Sequence, residues 1–320
     1  MEPCGSARAK LSTGASERLH GSGGGVQGAP MGRRVRAGEL CGVFRGSEGV
    51  ASGGLTYGQL RGPGFVRLFR DVYLPAGMPV THEIRCQGAA LALPGEAVIT
   101  GRSAATLLGV VLARPWDPVE LVVPLRSRVA RRQGLDVRRS DLEATEWREW
   151  HGIGLATPER TALDVLLDRS LPDAVADLDV LLRSGLVERC AMQATLALRH
   201  DRGVVCARQA VGLADPRAES PPESKVRVWL RLAGLMPEPQ YRVCDGHGGQ
   251  VGIVDLAFPE ARLAVEYDGR WHGEWLQVGP DRERLNRLHA AGWEVVFVTA
   301  EMLRSPKRMV QTVRAALAVR

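Results

Sequence analysis

Paired cysteines, a bilayer-length apolar run and a leader's apolar core are all missing from this sequence, and each absence removes a class of protein. The six cysteines stand singly at Cys4, Cys41, Cys86, Cys190, Cys206 and Cys244. None has the close Cys/Cys or Cys/His spacing of a zinc site, and nothing resembles a disulfide framework, so reduced thiols in a cytoplasmic protein are expected. No apolar run approaches the roughly 20 residues that cross a bilayer, so no membrane partner is expected. The N-terminus lacks the apolar core of a signal peptide.

What is present is a globular composition with a basic excess. Of 320 residues, 45% are hydrophobic and 24% charged, which suits a protein with a substantial core divided among several domains. The net charge is +6, with arginine dominating the basic residues. That balance favours DNA or another polyanion as partner, although many proteins that bind neither carry a similar excess.

Residues 1–38 are rich in Gly, Ser, Ala and Arg without hydrophobic period, which predicts a disordered tail. Residues 39–80 contain Thr56, a plausible cap for a short helix through Leu60, then FVRLFRDVYL, which turns toward strand character and ends at Pro75. Arg61, Arg67 and Arg70 are placed there to meet phosphates. Residues 81–214 alternate helical and strand patterns. HEIRCQGAALAL and SAATLLGVVL read as helices, the second capped by Ser103, while VELVVP and LDVRRSDL read as strands. ATPERTALDVLLDR enters a helix through Pro158, and two further amphipathic helices come after it. Between the strands lie Arg126, Arg128, Arg131, Arg132, Arg138 and Arg139. So dense a run of guanidinium groups repels itself unless anions lie nearby; it is either a phosphate-contacting surface, with Arg131 and Arg132 foremost, or a solvated loop.

The polar turn ADPRAESPP marks a boundary, after which residues 219–320 carry the densest chemistry. Ser220-Pro-Pro-Glu223 opens a helix with a capping-box pattern. Three strands are expected at YRVCD, VGIVDLAF and ARLAVEYDG, then a helix at DRERLNRLHAAG with Asp281 at its start, a buried strand WEVVFV and a terminal helix. Asp255 lies inside the second strand, and Glu266 and Asp268 inside the third, with His272 just beyond. Side chains alternate across a sheet, so antiparallel pairing of the two strands can set Asp255 beside Glu266. Two carboxylates at that separation repel, and a divalent cation between them resolves the conflict. The plainer readings are that Asp268-Gly269 only shapes a turn, that Glu223 is a simple cap and that Asp281 is an N-cap.

These motifs carry two resemblances. LTYGQLRGPGFVRLFRDVYLPAG resembles the N-terminal region of AbiEi-like antitoxins, bacterial winged-helix regulators, and the middle region is comparable to the one that those proteins place after their winged helix; a small helical lead-in packed on the next domain is the alternative. VDLAFPEARLAVEYDGRWHG with DRERLNRLHAAGWEVVFVT resembles the PD-(D/E)XK nuclease superfamily, most closely the very-short-patch-repair endonucleases. The resemblances imply an α/β (α+β) chain: a winged-helix-like segment, an α/β middle region and a restriction-endonuclease-like mixed sheet with flanking helices. The second implies a metal-dependent DNA endonuclease using Mg²⁺ or Mn²⁺. Asp255, Glu266 and Glu223 would be its metal ligands, His272 its acid or base, and Asp268 a further acidic residue at the site. The superfamily's strand lysine is missing, since Glu266-Tyr267 is followed by Asp268, so Arg284 or Arg270 would supply the positive charge, with Arg284 also available to DNA. The alternative function is a DNA-binding AbiEi-like regulator whose nuclease fold is inactive.

Overall fold

In the computed structural model the described residues are 42–93, 95, 97–129, 132–269 and 278–320, with the side chains of 278–281 left outside. The tail expected over 1–38 lies outside them. The described residues are of mixed α/β construction and build three sheets.

The first sheet belongs to a small N-terminal module. Strand β1 (Phe44–Arg45) leads into helices α1 (Gly46–Ala51) and α2 (Tyr57–Leu60), followed by β2 (Phe65–Phe69) and β3 (Val72–Pro75). The strands lie in the order β1-β3-β2, all antiparallel. Thr56 caps α2 as expected, in a complete capping box with Gln59. FVRLFRDVYL is two strands and not one, because Asp71 takes a left-handed φ of 61° and folds the run into a hairpin.

The second sheet has five strands in the order β6-β5-β4-β8-β7, from β4 (Val98–Ile99), β5 (Val119–Val123), β6 (Leu135–Arg139), β7 (Trp147–Trp150) and β8 (Ile153–Ala156). Helix α3 (His82–Ala92) packs between this sheet and the N-terminal hairpin, so Leu68, Phe69, Cys86, Ala89, Ile99 and Leu121 share one core. Helix α4 (Gly101–Leu107) is shorter than its sequence suggests, and Thr100 stands at its N-cap. Ser103 therefore caps nothing. It lies within the helix, where its buried hydroxyl accepts the Glu120 amide at 2.9 Å and meets His82 Nε2 at 2.8 Å, tying α4 to β5 and α3. Helices α5 (Pro158–Leu167), α6 (Leu171–Arg183), α7 (Arg189–Ala197) and α8 (Val204–Leu213) enclose a second core of Leu163, Leu166, Leu178, Leu181, Met192 and Val211.

Helix α9 (Pro221–Leu232) is held at both faces. Val226 and Leu230 enter the C-terminal core, whereas Val228 joins the core of α5–α8. Its Arg227 is buried against Asp179 of α6 at 2.6 Å, with both side chains almost solvent-free. The third sheet comes next: β9 (Glu238–Cys244), β10 (Gln250–Phe258), β11 (Leu263–Asp268) and β12 (Glu294–Thr299), in the order β12-β11-β10-β9. β9, β10 and β11 run antiparallel, while β11 and β12 pair in parallel across the intervening helix α10 (Val278–Ala290). Helix α10 begins three residues before Asp281, which therefore falls inside the first turn and not at its cap. Short α11 (Ala300–Arg304) and amphipathic α12 (Pro306–Ala318) close the chain. The order helix, three strands, helix, strand, helix read from the sequence is present, with short α11 added between β12 and α12.

Candidate nucleic-acid interface and carboxylate cluster

Two polar sites stand out, and they are built on opposite principles. The first is a cleft of about 920 Å³ where the N-terminal hairpin meets the middle sheet. The hairpin brings Arg67 from β2 and Arg70 from its turn, α3 contributes Arg85, and the loops before β5 and β6 contribute Trp116 and Arg132. Among the described residues no carboxylate lines it. Arg67 Nε donates to the Phe69 carbonyl at 3.3 Å and Arg132 Nη1 to the Ala92 carbonyl at 2.8 Å, so both guanidiniums are steadied by backbone carbonyls, which carry no full counter-charge.

Arg85 is the unusual member. It is only 4% exposed, yet among the described residues it donates to neutral carbonyls alone: Nη1 to Trp116 at 3.1 Å and Nη2 to Gly134 at 3.2 Å. Its Nε has no hydrogen-bond partner among those residues. The guanidinium lies 5.5 Å from the Phe69 ring centre and 5.3 Å from that of Trp116, so it is sandwiched between two aromatic faces. Burial holds its pKa below the ordinary arginine value, with Cys86 and Asp117 acting in the opposite sense. Asp117 turns its Oδ2 to the Arg114 amide at 2.8 Å. Gly134 makes the close approach possible. Its φ is 81°, and a Cβ there would stand 2.7 Å from Arg85 Nη2.

The cleft gathers Arg67, Arg70 and Arg132 from the phosphate-contacting residues expected on sequence grounds. Arg61 is exposed at the end of α2, donating to the Tyr57 carbonyl, and does not line the cleft. Arg131 lies outside the described residues. The arginine-rich loop does not act as one surface. Arg138 is drawn into a buried network with Asp164 and Asp168, where Arg160 also binds Asp164 and Glu146. Arg139 clamps the loop's own carbonyls at Ser127 and Val129. Arg85 and Trp116 were not singled out by sequence reasoning. The signal for Arg85 was present, since it occupies the face of α3 shared with His82, Cys86 and Ala89, where an arginine is out of place. Trp116 sits in a loop and left none.

The second site lies on the C-terminal sheet. The β10–β11 register pairs Leu256 with Val265, which sets Asp255 opposite Glu266 one step further along. Asp255 Oδ2 accepts the Tyr267 amide at 2.9 Å. Glu266 is buried, and both its oxygens accept from Arg284 of α10, at 2.5 and 3.0 Å. Arg284 also donates to the Ile253 carbonyl at 2.5 Å, so it bridges the two strands. Glu223, in the first turn of α9, accepts from the Ser220 hydroxyl at 2.7 Å, the Glu219 amide at 3.0 Å and Gln240 Nε2 at 2.9 Å. Burial pushes the Asp255 carboxyl up to about 6; the Tyr267 amide opposes this, the Glu223 and Glu266 charges add to it, and Arg284 lowers it. The structure thus brings Glu223, Asp255 and Glu266 within electrostatic reach of one another. Asp268 is exposed at the end of β11, paired in register with Thr299. His272 and Arg270 lie outside the described residues. Among those residues no group of three His, Cys, Asp or Glu is arranged to hold a metal ion. Every carboxylate oxygen of Glu223 and Glu266 already has a protein donor.

Comparison with known proteins bears on the middle of the chain. Residues 96–214 match the AbiEi antitoxin C-terminal domain. That region spans β4 to α8 and ends before α9. Two curated proteins of Mycobacterium tuberculosis, the uncharacterized protein MT2308 (strain CDC 1551 / Oshkosh) and the uncharacterized protein Rv2248 (strain ATCC 25618 / H37Rv), are each 39% identical over 160 residues. The alignments cover 48% of this chain, and the chain spans 59% of the length of each relative. Among solved structures, the crystal structure of RV2827C protein from Mycobacterium tuberculosis is 15% identical, with a TM-score of 0.38 over 65% of this chain and 80% of that one. Among the described residues no helix is long and apolar enough to cross a membrane.

Proposed function

We propose that this chain is a DNA-binding regulator of the AbiEi antitoxin type, in which the arginine cleft contacts the phosphate backbone. One observation carries the reading: Arg67 and Arg70 of the hairpin and Arg132 of the loop before β6 converge on a cleft that no described carboxylate lines. Like charges are not gathered at a protein surface without cost, and a polyanion is the partner that offsets it. The match of residues 96–214 to the AbiEi antitoxin C-terminal domain supports it, as does the +6 net charge. Its test is the salt dependence of duplex binding. Fluorescence anisotropy on the intact chain should show log K falling linearly with log salt. Replacing Arg67, Arg70 and Arg132 together by Ala should lower that slope by about 2 to 3, roughly 0.9 per phosphate released from contact. An unchanged slope and affinity in the triple variant would remove the reading.

A second reading, metal-dependent hydrolysis of DNA with Mg²⁺ or Mn²⁺ at Glu223, Asp255 and Glu266, is favoured by one feature: the Asp255 carboxyl, raised to about 6 partly by its two acidic neighbours. As arranged, the three carboxylates do not fit an ion, because Arg284 occupies both oxygens of Glu266 and α9 and β9 satisfy Glu223. Calorimetric titration of the protein with each ion, alongside a DNA-cleavage assay on the protein and on Asp255→Ala, decides the matter. Ion binding and cleavage that both vanish in the variant support the enzyme; neither in the parent protein sinks it.

A further inference from the structure

We infer that the cleft takes an unpaired nucleotide of DNA, with Trp116 as the platform for its base and the surrounding arginines as the seat for its phosphate. The inference rests on the DNA-binding reading above and narrows it to a strand state.

Three observations point to a stacked base. Trp116 is 59% exposed, a costly position for the largest apolar side chain. Its backbone is tied to Arg85 through the Trp116 carbonyl, and its ring lies 5.3 Å from the same guanidinium. Arg85 lies over one face of the indole, a contact that does not involve the other face. An exposed aromatic ring with one contact already made is what a flat ligand can stack on.

The second element is the buried guanidinium itself. Arg85 faces no described carboxylate in the cleft, and its Nε has no hydrogen-bond partner among the described residues. Sandwiched between Phe69 and Trp116, it makes the indole electron density part of a cation–π stack, and its positive charge strengthens the attraction for a phosphate arriving beside the ring. Arg67, Arg70 and Arg132 surround the same cleft. A paired base keeps its faces within the duplex stack and cannot lie on Trp116, whereas an unpaired one can.

The test compares a fluorescein-labelled single-stranded oligonucleotide with the duplex of the same sequence, using the full chain and its Trp116→Ala and Trp116→Phe variants. Circular dichroism confirms that each variant is folded, which the exposure of Trp116 favours. Trp116→Ala should weaken single-strand binding by about 5- to 150-fold, the loss of one base–aromatic stack. Duplex binding should weaken less than single-strand binding, and the slope against log salt should stay unchanged, because no charge is removed. Trp116→Phe, which keeps an aromatic face, should recover most of the loss. Single-strand binding as tight in Trp116→Ala as in the parent chain would overturn the inference while leaving the DNA-binding reading intact. So would an equal loss on both probes. Failure of the parent chain to bind either oligonucleotide would overturn both.

Discussion

The arginine cleft and the carboxylate cluster are both collections of like charges, and they are resolved in opposite ways. In the cluster the protein supplies the counter-charge itself. Arg284 reaches from α10 to grip both oxygens of Glu266, and helix and strand donors satisfy Glu223. In the cleft no described carboxylate lines the wall: Arg85 is buried with carbonyls and ring faces as its contacts and Asp117 as a more distant counter-charge, and Arg67, Arg70 and Arg132 lie around it. The cluster carries its own cation, Arg284, while the cleft wall carries no described anion. The chain's basic excess is therefore distributed unevenly. Many arginines are neutralised internally, among them Arg102 and Arg169 on Asp177, Arg160 on Asp164 and Arg227 on Asp179.

Removing an arginine should therefore cost stability at the cluster and little at the cleft. Arg284→Ala leaves a buried Glu266 without its cation, and the expected loss is about 2 to 3 kcal/mol, below the usual range for a buried pair because Arg284 is partly exposed. Thermal unfolding reads this as a Tm lower by several degrees. Arg85→Met, by contrast, removes a desolvated charge that makes no ion pair among the described residues. It loses two hydrogen bonds to carbonyls but should cost less than about 1 kcal/mol, while weakening DNA binding. Equal destabilisation by the two changes would erase the distinction.

Asp255 sharpens the comparison from the acidic side. Its folded pKa of about 6 lies above the ordinary aspartate value of 3.8. The folded state therefore holds the proton more tightly than the unfolded chain, and this contribution is fully present below about pH 4 and lost as pH rises through 6. Asp255→Asn, which mimics the protonated form, should stabilise the protein by about 1 to 2 kcal/mol at pH 7.5, after allowance for solvent screening, and by nothing at pH 4. Urea titrations of both proteins at the two pH values check it; a variant less stable at pH 7.5 would show that the carboxylate is needed in its charged form. The smallest effect concerns Cys86, beneath the cleft. Burial pushes its thiol up to about 12, so native iodoacetamide treatment should leave it unmodified while labelling the exposed Cys190 and Cys244.

Much of the C-terminal architecture was legible in the sequence because its signals are local. Ser220 with Glu223 marks the start of α9, and strand alternation through Asp255 and Glu266 gives their shared face. The cleft was legible only in pieces. Arg67, Arg70 and Arg132 could be nominated as basic residues, but their convergence depends on a hairpin docking against α3 and on a left-handed Gly134, neither of which leaves a periodic trace. The hairpin itself was hidden by Asp71, a non-glycine residue in a left-handed turn. Short strands such as Val98–Ile99 and Ile153–Ala156 carry too few residues to show alternation, and the sheet pairing that makes them strands is non-local. Arg284 was expected to supply positive charge near the acidic residues, and it does stand there, as the partner of Glu266.

The central claim is that DNA is met by the cleft and not by the carboxylate cluster. Its most direct test is one anisotropy titration of duplex DNA over a range of salt, run on the intact protein, on the variant with Arg67, Arg70 and Arg132 changed to Ala, and on Asp255→Ala. The account predicts a weaker and less salt-dependent interaction for the arginine variant, with Asp255→Ala indistinguishable from the parent chain. An unaltered arginine variant beside an Asp255→Ala protein that has lost its DNA would contradict it.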